Sequence, residues 1–363
     1  MRYGPLTYIK DQWTPRPPVQ NADLSGEVVF VTGANTGLGY EAAKHFALMG
    51  ATVIMGCRSK ERGEAAVQRL LEETGLRYEA AQLSLVDLAD FKSVSTCADG
   101  VQTDHSRLDI LVLNAGLVSP KYVPSVDGLE TVLQTNAIAQ PLLALRLLPL
   151  MARTAKEHEK TARVVTVSSE GHYWCDVEEL DDLLARPKGS IFDTLSDKDY
   201  CLATPNRLAK HRYHQTKLFN VLFTRALAKR LPAPCCITPV AIIPGHCRSS
   251  ILQPIAEDGG TLVSWALRLF RFLMAYTTEE GSRQLVYGAL GERGNDDAIH
   301  GQVTISSKNT EPSDFAISPQ GQELEDRYWS ELLDLLAKSD SKIPRILEEF
   351  GLREDKAVEI EKY

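Results

Sequence analysis

VVFVTGANTGLGYEAAKHF (Val28–Phe46) is the stretch on which the reading of the chain turns. An apolar run stops at Thr32, glycines follow at 33, 37 and 39, and a helical pattern begins. A strand–turn–helix of this kind leaves unpaired backbone N–H groups at a helix N-terminus, which favour an anion such as a pyrophosphate. Glycine lets the backbone take positive φ and approach a ligand closely. The spacing is G-x-x-x-G-x-G, not G-x-G-x-x-G. Taken alone, the turn reads either as a cofactor loop of another kind or as a plain tight turn.

Outward from it, short apolar runs alternate with helical stretches. Further runs lie at 52–57, 78–85, 108–116, 163–169, 236–245 and 301–307, and helices are expected over 37–49, 59–75, near 88–103 and up to Met151. Strands separated by helices need crossover connections, and crossovers imply a parallel sheet covered on both faces. The expected fold is therefore α/β, a Rossmann-like doubly wound parallel sheet of about seven strands. Ligands in such sheets sit at the carboxyl ends of the strands. That directs attention to Thr32–Gly39, Cys57–Lys60, Asp87, Asn114–Gly116, Ser168–Gly171 and Pro244–Ser249.

The 363 residues are 44% apolar, enough for a large core, and the net charge of −8 with no basic block disfavours nucleic acid as a partner. Seven cysteines (Cys57, Cys97, Cys175, Cys201, Cys235, Cys236, Cys247) lack metal-ligand spacing. Free thiols, no metal and a reducing, cytoplasmic setting are the expectation. The first residues lack a secretory h-region, and no apolar run reaches the ~20 residues that a transmembrane helix needs.

Two further turns carry chemistry. After the second run comes "GCRSKER", with Arg58 and no acid before Glu61. An acid there would hold a ribose 2′-hydroxyl; a guanidinium suits a 2′-phosphate, which favours NADP(H) over NAD(H). Alternatively, Arg58 is a solvated charge at a helix start. "YHQTK" sets Tyr213 and Lys217 four apart, on one helix face. A lysine ammonium beside a phenol lowers its pKa toward the range useful for proton transfer. The pair alone is a weak motif, but it follows the run ending "VVTVSS", whose serine could hold a carbonyl oxygen.

These motifs, with "NAG" at 114–116, Asn136 in "LQTNAIAQP" and "PGHCRS" at 244–249, occur in the order found in the short-chain dehydrogenase/reductase family. The chain resembles that family over about residues 26–310, and G-x-x-x-G-x-G is the family's cofactor loop. Local wording is most similar to the retinol dehydrogenase-like and WW-domain-oxidoreductase-like branch, with its many fungal relatives. The resemblance implies that Tyr213 is the general acid in carbonyl reduction, that Lys217 binds the nicotinamide ribose and tunes Tyr213, and that Ser169 holds the substrate oxygen while Ser168 serves the backbone. It implies that Asn136 carries a water-linked proton relay. It assigns cofactor contacts to Gly33, Asn35, Thr36, Gly37, Leu38, Gly39, Arg58, Asn114, Ala115, Gly116, Pro244, Gly245 and Ser249. Asp87 matches the aspartate that meets the adenine; Ser84 is the alternative, and the spacing to "FKSV" favours Asp87.

Departures mark what the family leaves open. Ser169 and Tyr213 are separated by an insert, 170–212, expected to cap the pocket. His172, Tyr173 and Trp174 read either as lining that pocket or as surface packing, and His246, Cys175 and Cys247 read as its neighbours. Residues 1–25 read as an arm, 250–280 as a substrate lid, and 311–363 as a helical extension. Within the lid, Leu262, Trp265, Leu269, Phe272, Leu273 and Tyr276 share one side. That stripe favours a lipophilic substrate; packing against the body and, third, contact with a membrane surface are the other readings. The apolar helix after Asn136 reads as buried or as an oligomer interface. The expected function is an NADP(H)-dependent ketone or aldehyde reductase (EC 1.1.1.-) of specialised metabolism. A catalytically silent NADP(H)-binding regulatory or scaffold protein is the alternative.

Overall fold

The computed structural model describes residues 4–203, 207–232, 236–248 and 275–353. Among the described residues, eight strands form one sheet in the order β3-β2-β1-β4-β5-β6-β7-β8. They are β1 (Val28–Thr32), β2 (Thr52–Cys57), β3 (Ala81–Leu85), β4 (Ile110–Leu113), β5 (Ala162–Val167), β6 (Ile237–Ile243), β7 (Val303–Ile305) and β8 (Lys308–Thr310). All pair in parallel except β7 with β8.

Side-chain alternation sends the strand residues into two cores. Val29, Val31, Val53 and Met55 pack under the helices Gly37–Leu48, Lys60–Thr74 and Thr278–Leu290. Phe30, Ile54 and Leu111 pack under Phe91–Asp104, Ala139–Glu157 and Tyr213–Arg230. Burial on both faces explains why the strands read as apolar runs rather than alternating ones. The chain reverses direction across the sheet between β1 and β4, so a crevice opens at their carboxyl ends.

Two elements differ from the expectation. β8 is a three-residue, largely exposed edge strand, joined to β7 through Ser306 and Ser307, both at positive φ. That geometry belongs to a two-residue hairpin turn, which is usually signalled by glycine or asparagine. The helix Thr278–Leu290 starts at a capping box, in which the Thr277 side chain and Glu280 satisfy each other's backbone N–H.

The insert contains the helices Val177–Ala185, Ile191–Ser196 and Lys198–Leu202. The long helix Pro319–Ser339 of the C-terminal extension braces it. Arg327 donates to the carbonyls of Leu183, Leu184, Arg186 and Pro187, while Glu331 accepts from Gly189 N and Ile191 N. On its other side this helix stacks Tyr328 on Phe219 of Tyr213–Arg230, with ring centroids 4.7 Å apart. The described cysteines are free thiols. Among the described residues, no helix is long and apolar enough to cross a membrane.

Candidate active site

The glycine turn is built by close approach. Gly33 and Gly37 take φ of +65° and +63°. A Cβ at Gly39 would lie 2.5 Å from Asn114 Nδ2 and 2.6 Å from the Gly33 carbonyl oxygen. Asn114 Nδ2 donates to Thr32 O at 2.8 Å, and the Thr32 hydroxyl accepts from Asn114 N and Ala115 N. The ends of β1 and β4 are thereby locked together. Thr36, the N-cap of Gly37–Leu48, makes no side-chain cap bond, which leaves the first-turn N–H groups for an anion.

A cavity of about 550 Å³ runs along these carboxyl ends. Gly33, Asn35, Thr36, Gly37, Leu38, Arg58, Asp87, Asn114, Ala115, Gly116, Pro244 and Gly245 all line it. Gly39 does not; its part is close packing. Ser84 also lies off the cavity, bonded to Cys97 Sγ. Arg58 is joined on the cavity wall by Ser59 and Arg62. Arg62, not singled out in the sequence, lies four after Arg58, in the first turn of the helix Lys60–Thr74. Ser249 and the stripe from Leu262 to Leu273 fall outside the described residues.

The same cavity takes in Ser168, Ser169, Tyr213 and Lys217. Ser169 Oγ accepts from Gly171 N at 3.1 Å. A Cβ at Gly171 would be 3.6 Å from both Ser169 Oγ and the Tyr213 ring, so the two groups flank one point. Ser168 Oγ instead donates to Lys217 O at 2.8 Å. Lys217 Nζ donates to Val167 O at 2.8 Å and stands 5.6 Å from the centre of the Tyr213 ring. Burial pulls Lys217 down to about 8. Burial also pushes the Tyr213 phenol up to about 12, helped by Glu170 and Cys247 and opposed by the Ser169 hydroxyl. From sequence, Lys217 is expected to lower Tyr213; in the fold the ammonium stands beside the ring, and burial sets the direction for both groups.

Asn136 is fully buried and does not line the cavity. It lies in a π-helical turn, Gln134–Ile138, where it accepts from Leu117 N and donates to Leu117 O and Thr216 Oγ1. Such turns are frequent at functional sites. A second π-turn, Arg207–Arg212, runs into Tyr213. The two are tied by Glu130, which accepts from Val132 N and Leu133 N and pairs with Arg212 at 3.3 Å.

The wall also includes aromatic and mixed residues: Tyr8, Trp174, His214, His246, Cys247 and Glu170. Glu170 is buried and its pKa is raised by that burial. Of the triplet after Ser169, only Trp174 reaches the cavity. His172 is buried, lowered to about 4, and bonded to Ser169 O; Tyr173 donates to Glu311 O. Cys175 is off the cavity as well.

Residues 27–173 match the family model described as short chain dehydrogenase. The chain is 31% identical over 333 residues to a short chain dehydrogenase/reductase of Cryptosporiopsis sp., covering 91% of this chain and 97% of that protein. It is 36% identical over 232 residues to the WW domain-containing oxidoreductase of Gallus gallus, 63% of this chain and 50% of that one. In fold it is similar to L-sorbose reductase from Gluconobacter frateurii, solved with NADPH and L-sorbose: TM-score 0.56, 19% identity, 78% of this chain and 96% of that one. On the near full-length match to the first of these, the chain belongs to the short-chain dehydrogenase/reductase family.

Proposed function

We propose that this oxidoreductase uses NADP(H) to interconvert a carbonyl and an alcohol on a lipophilic small molecule, with Tyr213 as the proton donor in reduction. One observation carries the reading: Ser169, Tyr213 and Lys217 share a cavity with the glycine turn and Arg58. The residues fit the cofactor by their own geometry. Gly33 and Gly37 at positive φ and an N-cap without a side-chain bond suit a pyrophosphate, and Arg58 with Arg62 suits a 2′-phosphate. When bound there, the nicotinamide would supply or accept the hydride.

The protein's own groups would orient the substrate and move the proton. Ser169 Oγ would donate to the carbonyl oxygen, and the neighbouring phenol would give that oxygen its proton. With its pKa pushed up to about 12, Tyr213 is fully protonated at neutral pH, as an acid must be before it donates. Lys217 has one ammonium hydrogen on Val167 O and flanks Gly116 together with Asn136. Its remaining donors suit ribose hydroxyls. Leu117, Val118, Tyr8 and Trp174 give the wall an apolar share for the substrate body. A place in specialised metabolism rests on the family resemblance alone.

The cofactor assignment is tested by titrating wild type and Arg58→Asp with NADPH and NADH. Wild type should prefer NADPH by about tenfold or more, as a charge-assisted phosphate contact contributes ~1.5–3 kcal/mol. Arg58→Asp should reverse or abolish that preference. Equal wild-type affinities would overturn it.

A further inference from the structure

The cavity has a wall that comes from far outside the sheet. The helix Pro5–Trp13 lies against the site, and Tyr8 lines the same cavity as Ser169 and Tyr213. The attachment is made by several independent contacts. Tyr276 shares its hydroxyl proton between the carbonyls of Asp11 and Thr14. Gln12 Nε2 donates to Glu170 Oε1, the residue next to Ser169, at 3.5 Å. Arg16 is buried, lies 4.2 Å from the centre of the Tyr276 ring, and donates to Ser306 Oγ. Its guanidinium presses on Gly245, where φ is +84° and any side chain would collide with it. Further along, Arg283 donates to Pro17 O and Gln20 to Leu290 O.

Tyr8 itself packs on the cluster of Val221, Ala241 and Ile243. Its ring meets Trp174 edge-on at 5.6 Å, and Trp174 meets His214 edge-on at 5.9 Å. His214 follows Tyr213 directly, so the aromatic row ends beside the phenol. No described residue holds the Tyr8 hydroxyl in a hydrogen bond. An amphipathic aromatic wall with a polar tip facing a cavity is suited to a flat, unsaturated ligand.

We propose that the N-terminal helix is a wall of the substrate site and that Tyr8 is a specificity-determining residue, its ring and hydroxyl contacting the body of a flat, conjugated or aromatic carbonyl compound whose reacting oxygen sits at Ser169 and Tyr213. This deepens the reductase reading and rests on it for the position of the reacting oxygen.

The test uses the full chain as wild type, Tyr8→Phe and Tyr8→Ala, with phenanthrenequinone as the flat probe and decanal as the slender one. Binding is read without turnover, from quenching of tryptophan fluorescence by phenanthrenequinone in the presence of NADP⁺. Loss of an aromatic contact should weaken that binding about fivefold in Tyr8→Ala and less in Tyr8→Phe, with NADP⁺ affinity within about twofold of wild type. In turnover, kcat/KM for phenanthrenequinone should fall about fivefold relative to decanal. Unchanged quinone binding in Tyr8→Ala overturns the proposal, as does equal loss for both probes and NADP⁺, which would mark a merely structural role. Absence of saturable quenching in wild type overturns it too. Quinone binding that depends on Tyr8 without any NADPH oxidation would instead refute the reductase reading and leave the wall standing.

Discussion

Replacing Lys217 with methionine should make the protein more stable and inactive at once. Lys217 is 3% exposed, and burial brings its pKa from 10.5 to about 8. One pKa unit corresponds to about 1.4 kcal/mol, so holding the ammonium in the fold at neutral pH costs on the order of 3 kcal/mol. Methionine is neutral, flexible and of similar length. The hydrogen bond to Val167 O is lost, at about 1 kcal/mol. That carbonyl keeps Asn220 Nδ2 at 3.2 Å, so it is not stranded. Roughly 2 kcal/mol should remain in favour of the variant at pH 7. The sign with pH follows from the folded-state value lying below the unfolded one. Below pH 8 both states carry the proton and the penalty is present in full. Between about 8 and 10.5 the folded state sheds its proton first, and wild type recovers stability. The assay is guanidinium denaturation of both proteins without cofactor at pH 7 and pH 10. The advantage of Lys217→Met should shrink at the higher pH. A variant less stable than wild type at pH 7, or a gap that does not move with pH, would refute the reasoning.

Gly39→Ala should weaken NADPH binding by at least about tenfold in a fluorescence titration, because its Cβ would enter the Gly33 carbonyl and the Asn114 amide. Near wild-type affinity would show that the turn yields more easily than its packing implies. Arg327→Met should strand the carbonyls of Leu184 and Arg186 and unpair the buried Glu331, while Leu183 O keeps Arg186 N and Pro187 O keeps the Ser190 hydroxyl; the cost should be about 3 kcal/mol. Limited proteolysis should then cut within 175–203 before the rest of the chain; an unchanged cleavage pattern would count against the bracing role of the helix Pro319–Ser339.

The parallel sheet was legible because strands buried on both faces must be apolar throughout, and Val28–Thr32 or Ile237–Ile243 can hardly be anything else. The glycine turn was legible because Gly33, Gly37 and Gly39 satisfy backbone demands that few other residues meet. What escaped lacked a local signal or used a weak one. β8 is a polar tripeptide at an edge, reached through two serines in a glycine-like conformation. The capping box at Thr277 and Glu280 was present but lies at the margin of the expected lid. Tyr8 reaches the cavity through contacts with residues more than 150 positions away, which no periodicity records. The electrostatics escaped for a different reason. Four-residue spacing puts Lys217 and Tyr213 on one face, but it does not say which end of the phenol the ammonium meets or how deeply both are buried. In the fold, burial is the first cause of the shift at both groups. Asn136 likewise sits one layer behind the cavity, held by Leu117 and Thr216.

The central claim is that the Tyr213 phenol delivers the proton. It is tested most directly by single-turnover reduction of phenanthrenequinone by NADPH in wild type and Tyr213→Phe, with NADPH affinity measured in parallel. Phenylalanine keeps the ring and removes only the hydroxyl. The account predicts unchanged NADPH affinity within about twofold and a turnover rate lower by ~10²–10⁴-fold. Turnover within a few-fold of wild type, with the cofactor still bound, would contradict it.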